Sequence, residues 1–238
     1  VTLNEYGNTV LPTSKVRHTA FRDLNPMFAS VIGYNAGKTQ NELAREIVAA
    51  GSNVFYAGNA TSRATVDAAD LIDSDDARKA FAQLEGADAP KFNGLYRAYT
   101  HPDVAYELKR ETGEVGWSAP HNYSMPENIR NGTLGIYQGF VWITGSQSKV
   151  RANAGSGSTV EVYDTYFLGR QALAKAFCTA QHLDGQQLGP HPIVVNSPVV
   201  DSLYREKGMG WYWFGNYGIF RQACLRGLES ASTLATNV

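Results

Sequence analysis

A chain of 238 residues with 43% hydrophobic content can fill one large core or two modest ones, which excludes a disordered polymer. Its formal net charge is −1, with acids and bases scattered instead of blocked, so composition offers no dedicated nucleic-acid surface. No apolar run approaches the roughly 18 residues of a membrane span, and the first residues lack the charged-then-apolar pattern of a secretion signal, so no membrane partner is expected. Val1 stands first in place of Met, and a segment ahead of it is expected to have been removed.

Val1 to Phe21 carries scattered β-formers (Leu3, Tyr6, Val10, Val16) interrupted by Gly7, Asn8 and Pro12, which predicts an extended arm with little core of its own. Leu24 to Gly51 is the organising element. Asn25 suits an N-cap, Pro26 the first helical position, and Gly51 a left-handed stop. Phe28, Val31, Ile32, Asn35, Ala36, Leu43 and Ile47 recur at spacings of three and four, predicting an amphipathic rod about 37 Å long. Gly33 and Gly37 inside it each cost about 1 kcal/mol against Ala, so a bend or break is expected near them.

Asn53–Tyr56 and Ser62–Val66 flank the turn-forming Ala57-Gly58-Asn59 and predict a hairpin or loop excursion. Ser74 is read as the cap of a second helix ending at Gly86, with Asp75 and Asp76 near its positive end. Leu95–Tyr99 predicts a strand turning through His101-Pro102-Asp103 into a helix closed by Gly113. Glu114 to Tyr123 is loop-like, and Ser124-Met125-Pro126-Glu127 forms a capping box for a helix stopped at Gly132. Phe140–Thr144 and Thr159–Leu168 read as strands around a small, polar, flexible loop at Ala152–Ser158. A mixed segment follows at Arg170–Phe177, then a loop at Gly185–Pro192. Ile193–Val195, Trp211–Phe214 and Phe220–Leu228 complete the strands. Helices and strands mix without regular alternation, which favours α+β.

Little in this order carries chemistry. Gly33-Tyr34-Asn35-Ala36-Gly37-Lys38-Thr39 nearly spells a phosphate-binding loop but is one residue short, and it falls inside the helical period. His18, His101, His121, His182 and His191 lie on separate segments without metal-ligand spacing. Cys178 and Cys224 match no redox or metal pattern and read as two buried thiols. Asn59-Ala60-Thr61, Asn122-Tyr123-Ser124 and Asn131-Gly132-Thr133 match a glycosylation triplet, which has no meaning without secretion. Trp211, Tyr212, Trp213, Phe214 and Tyr217 form an aromatic cluster lacking interleaved Lys or Arg, so core or subunit-interface packing is expected over base stacking. No catalytic residue, cofactor-binding residue or metal ligand is predicted.

Five runs go further: Ser62-Arg63-Ala64-Thr65-Val66, His101-Pro102-Asp103-Val104-Ala105-Tyr106-Glu107-Leu108, Asn131-Gly132-Thr133-Leu134-Gly135-Ile136-Tyr137-Gln138-Gly139, Tyr166-Phe167-Leu168-Gly169-Arg170-Gln171-Ala172-Leu173 and Arg226-Gly227-Leu228-Glu229-Ser230-Ala231. In this order and spacing the chain resembles the major capsid protein family of tailed bacteriophages. The resemblance implies an α+β, Hong Kong 97-type capsid fold, with a peripheral domain on a long spine helix and an axial domain at the capsomer centre. On that mapping residues 1–21 are the returning strand of an extended loop and its junction, 22–72 the peripheral domain with the spine, 73–200 the axial domain, and 201–238 the closing strands of the peripheral sheet. Family members carry an arm and an outgoing loop strand before this point, and no cross-linking residues can be matched.

The implied function is a non-enzymatic shell protein that self-assembles into the icosahedral head of a tailed double-stranded DNA phage. Its implied partners are its own copies in hexameric and pentameric capsomers, minor capsid or decoration proteins, a portal, and DNA held non-specifically on the inner face. The implied location is the virion, after assembly in the host cytoplasm. Glu114–Tyr123 and Ala152–Ser158 are expected at capsomer centres or surface tips. The alternatives are an encapsulin-like compartment on the same fold, or an enzyme using the aromatic cluster or the Gly33–Thr39 segment.

Overall fold

The computed structural model describes residues 1–20, 24–111, 116–117, 134–199, 203 and 205–234. In chain order, β1 (Asn4–Val10) leads through α1 (Ser14–Thr19) into α2 (Asn25–Ala49), then β2 (Val54–Tyr56), α3 (Ser74–Gly86), β3 (Tyr96–Thr100) and α4 (Pro102–Arg110). After them come β4 (Ile136–Tyr137), β5 (Phe140–Thr144), β6 (Val150–Arg151) and β7 (Val162–Leu168). The chain closes with β8 (Leu173–Phe177), β9 (Ile193–Val199), β10 (Lys207–Ile219) and β11 (Leu225–Ser230). The expected helix after Ser124 and most of the Glu114–Tyr123 loop fall outside the described residues.

These elements form two compact units, one of Val1–Ala44 with Ala174–Gly218 and the other of Arg45–Leu173 with Ile219–Val238. The cuts therefore differ from boundaries at 21/22, 72/73 and 200/201, because hydrogen bonding sorts the strands differently. β8 and β9 pair with β10, whereas β2 and β11 join a seven-stranded sheet of order β2-β11-β7-β3-β5-β4 with β6 on β7. The final strand thus does not close the sheet that holds β10.

In the first unit the thirteen-residue β10 is the axis, with β1 antiparallel on one side (Tyr6 opposite Trp213) and β9 antiparallel on the other (Trp211 opposite Val194). The N-terminal segment is extended and mostly exposed, as expected, and its strand is paired along β10. It also holds α1, capped by Thr13 Oγ1, which accepts from Val16 N. α2 runs unbroken through Gly33 and Gly37; no break develops there. Phe28 N donates to Leu24 O at 3.0 Å, so Asn25 is already helical and does not act as the cap.

The second unit carries the main core, where Leu84, Val104, Leu108, Phe140, Phe167 and Leu228 are fully buried. β7 is covered on both faces, as the central strand of a sheet must be. α3 starts one residue earlier than read from Ser74. Asp73 is its N-cap, accepting from Asp76 N at 2.8 Å, while Ser74 Oγ donates to Glu111. Of the expected hairpin or loop excursion at residues 53–66, the structure forms the loop excursion. β2 instead finds a parallel partner in β11, and Arg63–Thr65 is a 3-10 turn. Asp70 holds the intervening loop by accepting from Asn59 N and Asp67 N. Gly51 is not in a left-handed turn; a glycine is needed there because a Cβ would lie 2.7 Å from Leu225 Cδ2. The Ala152–Ser158 stretch is also braced, with Gly155 buried and Ser156 N donating to Val66 O at 2.8 Å.

Candidate functional site

Several of the residues that drew attention in the sequence are spent on structure. Gly33 to Thr39 is mid-helix, so its backbone N–H groups are bonded along α2 and cannot wrap a phosphate. Among the described residues no group of three or more His, Cys, Asp or Glu could hold a metal ion. His101 caps α4, its Nδ1 accepting from Asp103 N at 3.3 Å. His182 meets Asp184 at 2.9 Å and rests on the Tyr212 ring at 4.7 Å. His18 sits in α1, His191 is exposed, and His121 lies outside the described residues. Cys224 is buried, but Cys178 is half-buried, so only one of the two thiols is enclosed as expected.

Alternation along β10 places Trp211 and Trp213 in a core with Ile32 and Ala36 of α2, and turns Tyr212 the other way. Trp213 is 1% exposed and stacks on Tyr6 at 5.8 Å, with Lys175 Nζ 4.9 Å from the ring centroid. The aromatic cluster therefore fastens helix to sheet and is no open platform. Next to it, in the same unit, α2 and strands β9 and β10 enclose an apolar hollow of about 320 Å³, lined by Ala29, Gly33, Gly37, Gln40, Ile193 and Met209 among others. Sequence reasoning missed this hollow, although the small residues of α2 at 29, 33, 36 and 37 were its signal.

In the second unit, Asp164 of β7 and Glu229 of β11 are direct cross-strand partners, and both are buried. Arg63 pairs with Glu229 through Nε (2.9 Å) and Nη2 (2.6 Å), while Arg151 Nε and Nη2 donate to Asp164 at 2.9–3.1 Å. Tyr166 Oη donates to Asp164 Oδ2 at 2.9 Å. Burial pushes the Asp164 carboxyl up despite Arg151, and the Glu229 hydrogen bond holds the Arg63 guanidinium up. Two like charges side by side would repel; here each has its own guanidinium. The carboxylates are thus committed to ion pairs. At α3, burial and then the Asp73 charge push Asp76 up to about 6, within a capping box. What these side chains can do chemically is hold elements together.

A sequence model of the phage capsid protein family matches residues 12–227. Among solved structures, the chain is similar to the capsid of Ralstonia phage GP4 at TM-score 0.76 and 16% identity, covering 99% of this chain and 75% of that one. It is similar to the head of Helicobacter pylori bacteriophage KHP40 at TM-score 0.67 and 11% identity, covering 96% and 75%. It is also similar to the holo-SrpI encapsulin complex of Synechococcus elongatus at TM-score 0.63 and 10% identity, covering 99% and 76%. No curated protein matches it.

Proposed function

Because this chain belongs to the phage capsid protein family and is a major capsid protein on the Hong Kong 97-type fold, we propose that it builds the icosahedral head of a tailed double-stranded DNA phage through hexameric and pentameric capsomers. The observation that carries this is the family match over residues 12–227. The unit built on α2 and β10 acts as the peripheral domain, and the unit built on the seven-stranded sheet acts as the axial domain. The loop at Ala152–Ser158 lies at a capsomer centre or surface tip.

The mechanism is association and not turnover. A standard specific interface buries about 1,600 Å², and several neighbours per subunit multiply its effect, so pairwise contacts of modest strength add up to a stable shell. A net charge of −1 suits an inner face that confines DNA without gripping its phosphates. Decoration proteins, minor capsid proteins and a portal complete the particle, which assembles in the host cytoplasm. No enzymatic step is assigned, since the buried carboxylates and guanidinium groups described above are engaged with one another.

Electron microscopy of the purified, concentrated protein is the test. Closed megadalton shells are expected, and small compact oligomers alone would sink the reading. The encapsulin likeness supports a second reading, a compartment that encloses protein cargo. Nuclease-protected DNA inside particles from infected cells separates the two.

A further inference from the structure

We propose that the corner entering α4 is a proton-operated switch, in which His101 caps the helix at neutral pH and, once protonated, leaves the cap to pair with Asp103. The switch belongs to the single chain and stands apart from the shell-forming role argued above. His101 Nδ1 faces two groups of opposite character. It accepts from Asp103 N at 3.3 Å as the N-cap of α4, and it lies 3.2 Å from Asp103 Oδ2. A ring nitrogen with a lone pair satisfies the first group and repels the second, and a ring nitrogen with a proton does the reverse. No single protonation state serves both contacts. The corner therefore has two arrangements, and a proton selects between them in the mildly acidic range where imidazoles change charge.

The groups around this corner are short of protons. Tyr163 of β7 sets its ring 5.2 Å from the imidazole, and its Oη stands 3.1 Å from Asp103 Oδ2 and 3.2 Å from Glu161 Oε2. His101, Asp103, Tyr163 and Glu161 thus form a chain of three close contacts, for which the phenol holds one proton. Burial and then the Asp103 charge push the Tyr163 hydroxyl up, so it keeps that proton, but it cannot donate to both carboxylates at once. A proton taken from water by Nδ1 fills the first contact and frees the phenol O–H to turn to Glu161. Only the N–H bond is made; the rest is exchange of hydrogen bonds. The new positive charge sits at the positive end of the α4 dipole, so the cap gives way when the pair forms. The His101 side chain is 17% exposed and that of Asp103 29%, which leaves water a way in. Further along α4, Glu107 accepts from Arg110, Ser232 and Thr233, and Ser232 Oγ also reaches Asp103 O at 3.4 Å. The switch acts where α4 meets the segment after β11.

The test is nuclear magnetic resonance on the full chain, isotope-labelled and kept unassembled, with the His101 ring assigned through its own backbone. Nδ1 is expected without a proton at pH 8 and with one at pH 5. Exchange of the Asp103 amide, corrected for the intrinsic effect of pH, should be about threefold faster or more at pH 5. His101→Asn keeps a capping oxygen but takes up no proton, so its corrected exchange should be equal at the two pH values. Asp103→Asn removes the carboxylate that holds the proton and should move the ring's titration toward acid by about half a pH unit or more, which a merely structural role would not do. An Nδ1 already protonated at pH 8, or equal corrected exchange at both pH values in the unsubstituted chain, overturns the switch, and neither reading needs a variant to fold. A His101→Asn chain with the parent's pH dependence, or an Asp103→Asn chain with the parent's titration, overturns it as well.

Discussion

Trp211 Nε1 of β10 donates to Asn35 Oδ1 of α2 at 2.9 Å, across 176 positions of sequence. The same oxygen accepts from Asn8 Nδ2 of β1 at 3.1 Å. One helical amide thus ties α2 to two neighbouring strands inside an otherwise apolar cluster. An indole buries a large surface but demands a partner for its N–H, and Asn35 is that partner. It sits among Ile32, Ala36 and Leu43, where the helical period alone would call for an aliphatic residue.

Asn35→Leu should therefore cost about 2 kcal/mol, because the buried Trp211 N–H and the Asn8 amide both lose their acceptor. Asn35→Asp keeps an acceptor and should cost well under half of that. Urea unfolding followed by tryptophan fluorescence measures both. Equal losses would mean that packing volume matters at this position and the hydrogen bond does not.

Arg151→Met strands the buried Asp164 carboxylate and should cost about 3 kcal/mol, the range found when one member of a buried pair is removed. Asp164→Leu combined with Arg151→Met removes both charges and should regain at least half of the loss. Calorimetry on the two single variants and the double variant closes the cycle. Strict additivity would show that Arg151 and Asp164 do not act as a pair.

Local signals reached the elements whose causes are local. The apolar spacing of α2, the strand composition of β5 and β7, and the Pro102 start of α4 were all legible. Pairing was not. β2 takes its parallel partner from β11, about 170 positions away, and nothing in Val54-Phe55-Tyr56 names that partner. Asp164 and Glu229 could not be matched for the same reason, since each reads alone as an ordinary surface acid. The Phe220–Leu228 strand shifted to Leu225–Ser230 because Gln222–Cys224 forms a 3-10 turn. The hollow on α2 was hidden behind the reading of Gly33 and Gly37 as helix breakers.

Two glycine substitutions should move stability in opposite directions. Gly33→Ala meets nothing within 4 Å among the described residues and should stabilise the dissociated subunit by about 1 kcal/mol through helix propensity alone. Gly51→Ala would place its Cβ 2.7 Å from Leu225 Cδ2 and 3.1 Å from Val48 O, an overpacking that should cost about 2 kcal/mol. Thermal melts of dissociated subunits decide this, and a destabilised Gly33→Ala would mean that the hollow is smaller in solution.

The acid side of the pH-stability curve should carry the mark of Asp76. Its carboxyl is pushed from 3.8 up to about 6, chiefly by burial and then by the Asp73 charge, with Lys79 working the other way. A raised carboxyl means that the folded chain binds the proton more tightly than the unfolded chain. Stability should then fall as pH rises from about 4 to about 6 and level off above that. Asp164, also pushed up, adds to the slope in the same sense. Asp76→Asn removes the titration but keeps an oxygen for the Asp73 N–H, so its curve should be flatter over that window and higher at pH 7 by about 2 kcal/mol. Urea midpoints taken at half-unit steps from pH 4 to 7 compare the two slopes. A variant as steep as the parent would place the titrating group elsewhere.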